Sequence, residues 1–104
     1  MNVWKIPVNN SPRQNMRFQV GDMHVGLTLY YNPVPDGGAW VMDLSDADSG
    51  EPLVRGYSLV CGVPILKRTT LPFWFHLEDI SGLQLNPYGG DDLGTRCLLH
   101  VVEK

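Results

Sequence analysis

The sequence has 104 residues, of which 43% are hydrophobic and 18% charged, and its formal net charge is −3. This length fits one domain over residues 1–104, and the composition excludes an intrinsically disordered chain. The acidic balance and the scattered basic residues exclude the basic patch of a nucleic-acid-binding protein, and no run approaches the ~18 apolar residues of a membrane helix. We therefore expect neither nucleic acid nor a membrane as a partner.

The first third of the chain alternates between apolar and polar residues, as half-buried strands do. Residues 3–8 alternate and stop at a proline, which suits an edge strand because proline cannot donate to a ladder. Residues 15–20 and 23–31 flank a short Gly-Asp turn, which predicts a β-hairpin. In the second strand of this hairpin, Tyr30 falls on the outward phase.

Two further strands are predicted over residues 39–46 and 51–60. Each has three apolar residues in phase, and we expect these residues on the inward face. They are Trp40, Met42 and Leu44 in the first strand, and Leu53, Tyr57 and Leu59 in the second.

The stretch DLSDADSGE between these strands could be a calcium loop or a tight turn. An EF-hand loop needs a glutamate at its twelfth position and helices on both sides, but here that position is a tyrosine and the flanks are strands. The turn is favoured: we expect Asp46 and Asp48 to accept backbone N–H groups and Gly50 to adopt a positive φ.

The second half of the chain begins with a less regular crossing segment, residues 61–72, with a short extended piece at 63–66. Residues 73–80 then alternate strictly, which predicts a strand with Trp74 on its outward phase. A last strand is predicted over residues 95–102. These patterns give about seven short strands with turn signals between them and no helical crossover. The predicted fold is all-β, a small antiparallel β-sandwich or a partly open barrel.

The residue types that carry catalysis or bind metals are dispersed in the sequence. His24, His76 and His100 stand alone in separate strands, whereas a zinc site requires ligands close together. The chain contains neither a P-loop nor a G-x-S-x-G motif. We therefore expect no enzymatic activity, no metal and no cofactor.

The two cysteines, Cys61 and Cys97, lie far apart and form no C-x-x-C motif. The first ten residues, MNVWKIPVNN, do not resemble a signal peptide. We therefore expect the chain to fold in a reducing cytosol, with both cysteines as small buried apolar residues.

Two aromatic residues, Tyr30 and Trp74, fall on faces that solvent should wet in a sandwich. Such residues indicate a surface covered by a partner or a second copy. The pattern fits equally well with strands that are buried on both faces. A third possibility is a carbohydrate- or ligand-binding domain that uses one of these rings as a stacking platform.

Three segments, taken in order, resemble one known family. They are LTLYYNPV (27–34), WVMDLSDADSGEPLVRGYSLVCGVPIL (40–66) and DDLGTRCLLHVV (91–102). Together they are similar to the small baseplate plug proteins of contractile-tailed phages (myophages) and prophages. Cys61 departs from the family pattern, where a proline is more usual, and the strand at 73–80 is richer in aromatic residues.

The resemblance implies a structural virion protein without enzymatic activity, located in the tail baseplate and, during assembly, in the host cytoplasm. It implies a position on the tail axis beside hub, spike and tail-tube proteins, and a symmetric ring of copies with three-fold or six-fold symmetry. We expect the partner surface to include Tyr30, Trp74 and one loop segment. That segment contains Asp91, Asp92, Leu93, Gly94, Thr95 and Arg96.

One further hypothesis is a small hydrolase whose acids and histidines converge only in space. It requires His76 or His100 within hydrogen-bond reach of an aspartate in a pocket.

Overall fold

The computed structural model describes residues 3–33, 38–83, 85–87 and 92–104, and within them it contains seven β-strands and no helix. The all-β prediction is therefore confirmed. The strands are β1 (Val3–Lys5), β2 (Arg13–Val20), β3 (Met23–Asn32), β4 (Ala39–Asp46), β5 (Pro52–Ser58), β6 (Phe73–Asp79) and β7 (Cys97–Glu103). No helix in these residues is long and apolar enough to cross a membrane.

The strands form two antiparallel sheets that do not close into a barrel. One sheet has the order β2-β3-β4-β5, so its neighbours in space are neighbours in sequence. The other has the order β1-β7-β6, which brings both ends of the chain together. Of the two predicted architectures, the sandwich is the one the chain adopts.

The β2–β3 hairpin follows the predicted alternation. Val20 opposes Met23 across the Gly-Asp turn, where Gly21 adopts a φ of 59°. Val25, Leu27 and Leu29 on the inward face of β3 are buried, Tyr31 is half-buried, and the outward residues are at least partly exposed. The hairpin is thus specified by its own sequence, because each strand presents one apolar face and the turn fixes the register.

The core lies between the two sheets and contains aromatic residues from both. Phe18 of β2 meets the rings of Phe73 and Phe75 of β6 edge-on, with centroids 6.1 and 6.2 Å apart. Both β6 rings are fully buried, as is Trp40 of β4 at 1% exposure. Burial of a side chain of this size stabilises the fold by roughly 2–3 kcal/mol. These rings are therefore a main source of cohesion between the sheets.

Strand β5 departs from the alternation predicted for residues 51–60. A register shift places Val54, rather than Arg55, opposite Leu44, because β5 carries an extra residue at this point. Gly56 makes the bulge possible with a φ of 68°, and its N–H donates to the Asp43 carboxylate at 2.7 Å. Leu53, Tyr57 and Leu59 still lie in or against the core as predicted, and the bulge turns Arg55, which lies between them, outward to solvent.

The extended piece expected over residues 63–66 is reduced to an isolated bridge at Ile65, because Leu66 adopts a positive φ of 65° and begins a turn. Ile65 is fully buried and exchanges two backbone hydrogen bonds of 2.9 Å with Phe75 of β6. The last strand begins two residues later than predicted, at Cys97, because residues 92–96 form a turn that precedes it.

Candidate functional site

The acidic turn between β4 and β5 is held by its own side chains. One carboxylate oxygen of Asp46 accepts the N–H groups of Asp48 and Ser49 at 2.9 and 3.3 Å. Gly50 has a φ of 77° and donates its N–H to the Asp46 carbonyl at 2.7 Å. Asp46 and Gly50 thus occupy the roles expected for them in a turn.

Asp48 has a different partner from the one expected. Its carboxylate lies 2.9 Å from Nδ1 of His24, at the start of β3, and not on a backbone N–H of the turn. The contact is open to solvent, since 49% of the His24 side chain and 71% of the Asp48 side chain are exposed. It links the turn to the neighbouring strand, but solvent screens it strongly.

A second acidic region contains an ion pair in which the carboxylate is shielded from solvent. Asp79, the last residue of β6, has a fully buried side chain, and its Oδ2 lies 2.7 Å from Nη1 of Arg96. The same oxygen accepts the Leu85 N–H at 2.9 Å. The other oxygen accepts the N–H and hydroxyl of Ser81 at 2.9 and 2.7 Å. Every lone pair direction of this carboxylate therefore faces a donor.

Arg96 binds the surrounding loops as well as Asp79. Its guanidinium donates to the carbonyls of Leu85 and Asn86, each at 3.0 Å, and to the Asp92 carboxylate at 3.1 Å. One side chain thus connects the end of β6, the loop after it and the turn before β7. We call Asp79, Asp92 and Arg96 the ion-pair cluster.

The ionisation of Asp79 reflects these contacts. Burial alone would raise the pKa of its carboxyl group, because a charged group is poorly solvated there. Hydrogen bonds from Ser81 and Leu85, together with the Arg96 charge, act against burial and hold the pKa at about 2. Asp79 is therefore a carboxylate over most of the pH range in which the protein is folded.

The segment predicted as a partner surface is packed closely against its own chain. Leu93 is fully buried in the core. Gly94 has a φ of 86°, and a Cβ there would lie 2.6 Å from the carbonyl oxygen of Val8. The hydroxyl of Thr95 donates to the Asp92 carbonyl at 3.1 Å. Asp91 lies outside the described residues. A role of this segment in binding a partner stays a prediction.

The two cysteines are free and buried, and both contact one backbone group. The Sγ atoms of Cys61 and Cys97 lie 3.0 and 3.8 Å from the carbonyl oxygen of Leu85. Burial raises the pKa of both thiols, that of Cys97 to about 12; the Cys61 thiol raises the pKa of Cys97 further, whereas the Cys97 thiol lowers that of Cys61. Both therefore remain protonated at neutral pH and serve as packing residues, as predicted.

The two outward aromatic residues lie on opposite outer faces of the sandwich. Tyr30 of β3 faces away from the core and is half-buried. Its neighbour in register is Val41, which also faces outward yet is only 8% exposed. On the other sheet, Trp74 lies in a row with Val102 and Val3. The ammonium group of Lys67 sits 5.1 Å from the centre of the Trp74 ring.

The hydrolase hypothesis requires His76 or His100 beside an aspartate in a pocket, but the histidine that contacts an aspartate is His24, in its solvent-exposed pair with Asp48. The three histidines lie in separate strands, as predicted, but His76 and His100 are partners across β6 and β7, and their rings stack at 6.1 Å on the outer face. The nearest acid is Glu78, 3.6 Å from Nε2 of His100 and beyond hydrogen-bond distance. Among the described residues, no three His, Cys, Asp or Glu side chains are grouped to hold a metal ion.

The comparison with known families shows to which class of protein this chain belongs. The family model described as "Cyanophage baseplate Pam3 plug gp18" matches residues 3–104. The chain belongs to this family. A search of the curated proteins finds no match.

Membership in the baseplate plug family confirms the resemblance read from the sequence and gives the chain a structural role in the phage tail baseplate. The family points to a protein that is not an enzyme. It also implies association with other baseplate components and a location in the virion. The chemistry found in the structure agrees with such a role, because its ionic contacts hold loops together.

The ion-pair cluster is the part of this baseplate protein that sequence reasoning missed. A signal was present: Asp79 falls in phase with Phe73, Phe75 and Leu77, so the alternation of β6 already places a carboxylate on the inward face. An inward carboxylate requires a cationic partner. Only the folded arrangement shows that the partner is Arg96.

Proposed function

We propose that the chain is the plug of a contractile-tail baseplate. In this proposal it lies on the tail axis, assembles as a symmetric ring of three or six copies, and contacts hub, spike and tail-tube proteins. It requires no cofactor and catalyses no reaction. It is made in the host cytoplasm and ends in the virion, without contact with nucleic acid or membrane. Membership in the plug family over nearly the whole chain supports this role.

The observation that supports a ring of subunits is the placement of Tyr30 and Trp74. A ring is built from heterologous contacts, in which one patch of a subunit meets a different patch on the next. Such a subunit needs two complementary patches on different sides. Tyr30, half-buried on one outer face, and Trp74, half-buried on the other, would supply one aromatic side chain to each patch.

The aromatic-platform alternative has less support from the geometry. A sugar stacks on an open ring face, but Lys67 lies over the Trp74 ring at 5.1 Å. A ring of subunits can retain this cation–π contact at its interface. Titration of a glycan panel while following tryptophan fluorescence tests the alternative, and we expect no change.

Native mass spectrometry across a range of concentrations tests the ring. We expect a discrete oligomer that Trp74→Ala and Tyr30→Ala each weaken, because each substitution removes one half of every contact. Leu83→Ala is the control, since Leu83 is a large exposed apolar residue outside both outer-face patches. A monomer at every concentration that also ignores hub and tube proteins would contradict the proposal.

A further inference from the structure

The four outermost strands of the two sheets differ in whether another strand could join them. Strand β6 is covered, because Ile65 exchanges two hydrogen bonds with Phe75 on its outer side. Strand β5 is blunted by Pro52 at its start, by two register shifts and by Gly56 at a positive φ. In the part of the chain described, strands β1 and β2 are neither covered as β6 is nor blunted as β5 is. The sandwich thus has two closed edges and two open ones.

The backbone groups on the open edge of β2 can be assigned from the register. Tyr31 donates its N–H to the Pro12 carbonyl, so this pair and every second pair after it exchange hydrogen bonds with β3. The residues between them direct both their N–H and C=O groups away from the sheet. They are Arg13, Asn15, Arg17 and Gln19. In β1, the bond from the Ile6 N–H to the Leu99 carbonyl shows in the same way that Val3 and Lys5 direct their backbone groups away from the sheet.

The two open edges border the same groove. A concave space of about 230 Å³ lies between β1 and β2, with Trp4, Ile6, Phe18 and Val101 among its lining. Phe18 belongs to the inward face of β2 yet is only half-buried, and 41% of Trp4 is exposed. Both follow from one cause, which is that no described strand closes the sandwich on this side.

The charge of the groove favours some candidate binding partners over others. The charged residues that border the groove are Lys5 and Arg17, on the outward phases of β1 and β2, and no carboxylate is among these described lining residues. A second copy that paired through its own β2 would bring the outward arginines of two β2 strands onto one face of the joined sheet. Pairing of β1 with a neighbour's β2 would bring Lys5 towards Arg17. Like charges on adjacent strands are destabilising, so both arrangements are disfavoured.

We propose that this groove binds an extended segment of another baseplate protein, one that alternates apolar and acidic residues. The segment adds a strand to an open edge, so its backbone bonds to groups such as those of Arg17 and Gln19. Its apolar side chains enter the groove beside Trp4 and Phe18, and its carboxylates meet Arg17 on the outer face of β2, while Lys5 adds to the positive potential at the groove. The inference rests on the proposed role as a component that binds neighbouring proteins, and it does not depend on the ring.

Fluorescence anisotropy with synthetic peptides of roughly ten residues tests this directly. The probes are an alternating valine–glutamate peptide and its valine–lysine counterpart, both labelled with fluorescein. We expect the glutamate peptide to bind at least about tenfold more tightly than the lysine peptide, with the difference shrinking as salt is added. Equal binding of the two peptides, or no binding of either, overturns the proposal.

Two further experiments test the location and the mode of binding. The double variant Lys5→Glu with Arg17→Glu should reverse the preference towards the lysine peptide, whereas Arg55→Glu, an exposed cation on the closed β5 edge, should leave it unchanged. A glutamate peptide with N-methyl groups at alternate positions should lose binding to the unaltered protein. If Arg55→Glu acts like the double variant, or if N-methylation has no effect, binding by strand addition at this groove is excluded.

Native mass measured on the same samples separates this inference from the ring. We expect the double variant to keep the oligomer while it loses the glutamate peptide. Loss of the oligomer in the double variant would show that the groove holds a second copy, and would overturn the inference. A protein that binds the glutamate peptide but remains a monomer would instead contradict the ring alone.

Discussion

Two acidic regions of the chain look alike in sequence and differ in the folded protein. In the β4–β5 turn, Asp46 bonds backbone groups two and three residues away, and the acids remain near solvent. In the ion-pair cluster, Asp79 is fully buried and is paired with Arg96 from a distant part of the chain. The difference shows that local turn chemistry is encoded within a few residues. The burial of a charge depends on how the whole chain folds around it.

The largest expected effect comes from breaking the cluster. Arg96→Met should lower the melting temperature by roughly ten degrees or more, because it leaves the buried Asp79 carboxylate without its cation and frees two loop carbonyls. Thermal unfolding followed by circular dichroism measures the loss. The matched control is Arg55→Met, an exposed arginine on β5 that should change the melting temperature by far less.

The double variant Asp79→Asn with Arg96→Met sharpens this test. Asparagine keeps the shape of the carboxylate but carries no charge, so the combined loss should be smaller than the sum of the single losses. Additive losses would mean that Arg96 stabilises the protein through its loop contacts alone.

Two glycines provide a second contrast between the regions. Gly94, beside the cluster, and Gly50, in the turn, have φ angles of 86° and 77°. Gly94→Ala should cost about 3 kcal/mol in the free energy of unfolding, because its Cβ would also meet backbone of Val8. Gly50→Ala should cost about 1 kcal/mol, since nothing lies within 4 Å of its Cβ. Urea unfolding measures both, and equal costs would rule out the close approach at Gly94.

The cluster should also make stability depend on pH. The pKa of Asp79 falls from an ordinary 3.8 to about 2 on folding, so the unfolded chain binds this proton more readily than the folded protein. Its contribution is present above pH 3.8 and is lost as the pH falls towards 2. Urea unfolding between pH 5 and pH 2 should show this loss in the wild type and a shallower one in Asp79→Asn. Parallel curves for the two proteins would contradict the assignment.

The sequence was sufficient for the features that depend on neighbouring residues. Alternation identified the strands and their inward faces, and the Gly-Asp pair identified the β2–β3 hairpin. It was not sufficient where one backbone dihedral changed the phase, as Gly56 does in β5. It also missed contacts between distant segments: the partner of Asp79, the partner of Asp48 and the stacked histidines. These depend on which strands become neighbours, which no local pattern specifies.

The exposed pair of His24 and Asp48 should contribute little. Asp48→Asn should change the free energy of unfolding by less than about 0.5 kcal/mol, because both side chains are well exposed to solvent and salt screens their attraction. Urea unfolding at low and at high salt measures it. A loss comparable to that of Gly50→Ala would mean that the contact fixes the turn on β3.

The smallest expected effect is that of calcium on the β4–β5 turn. Calcium takes six to eight oxygen ligands, but one oxygen of Asp46 already accepts two backbone N–H groups, and Asp48 is directed at His24. Binding would have to break these contacts and recruit ligands from strands rather than from a loop. Millimolar calcium should therefore leave the melting temperature unchanged, with magnesium as the control for ionic strength. A rise of several degrees with calcium alone would make the turn a metal site and remove the contrast with the ion-pair cluster.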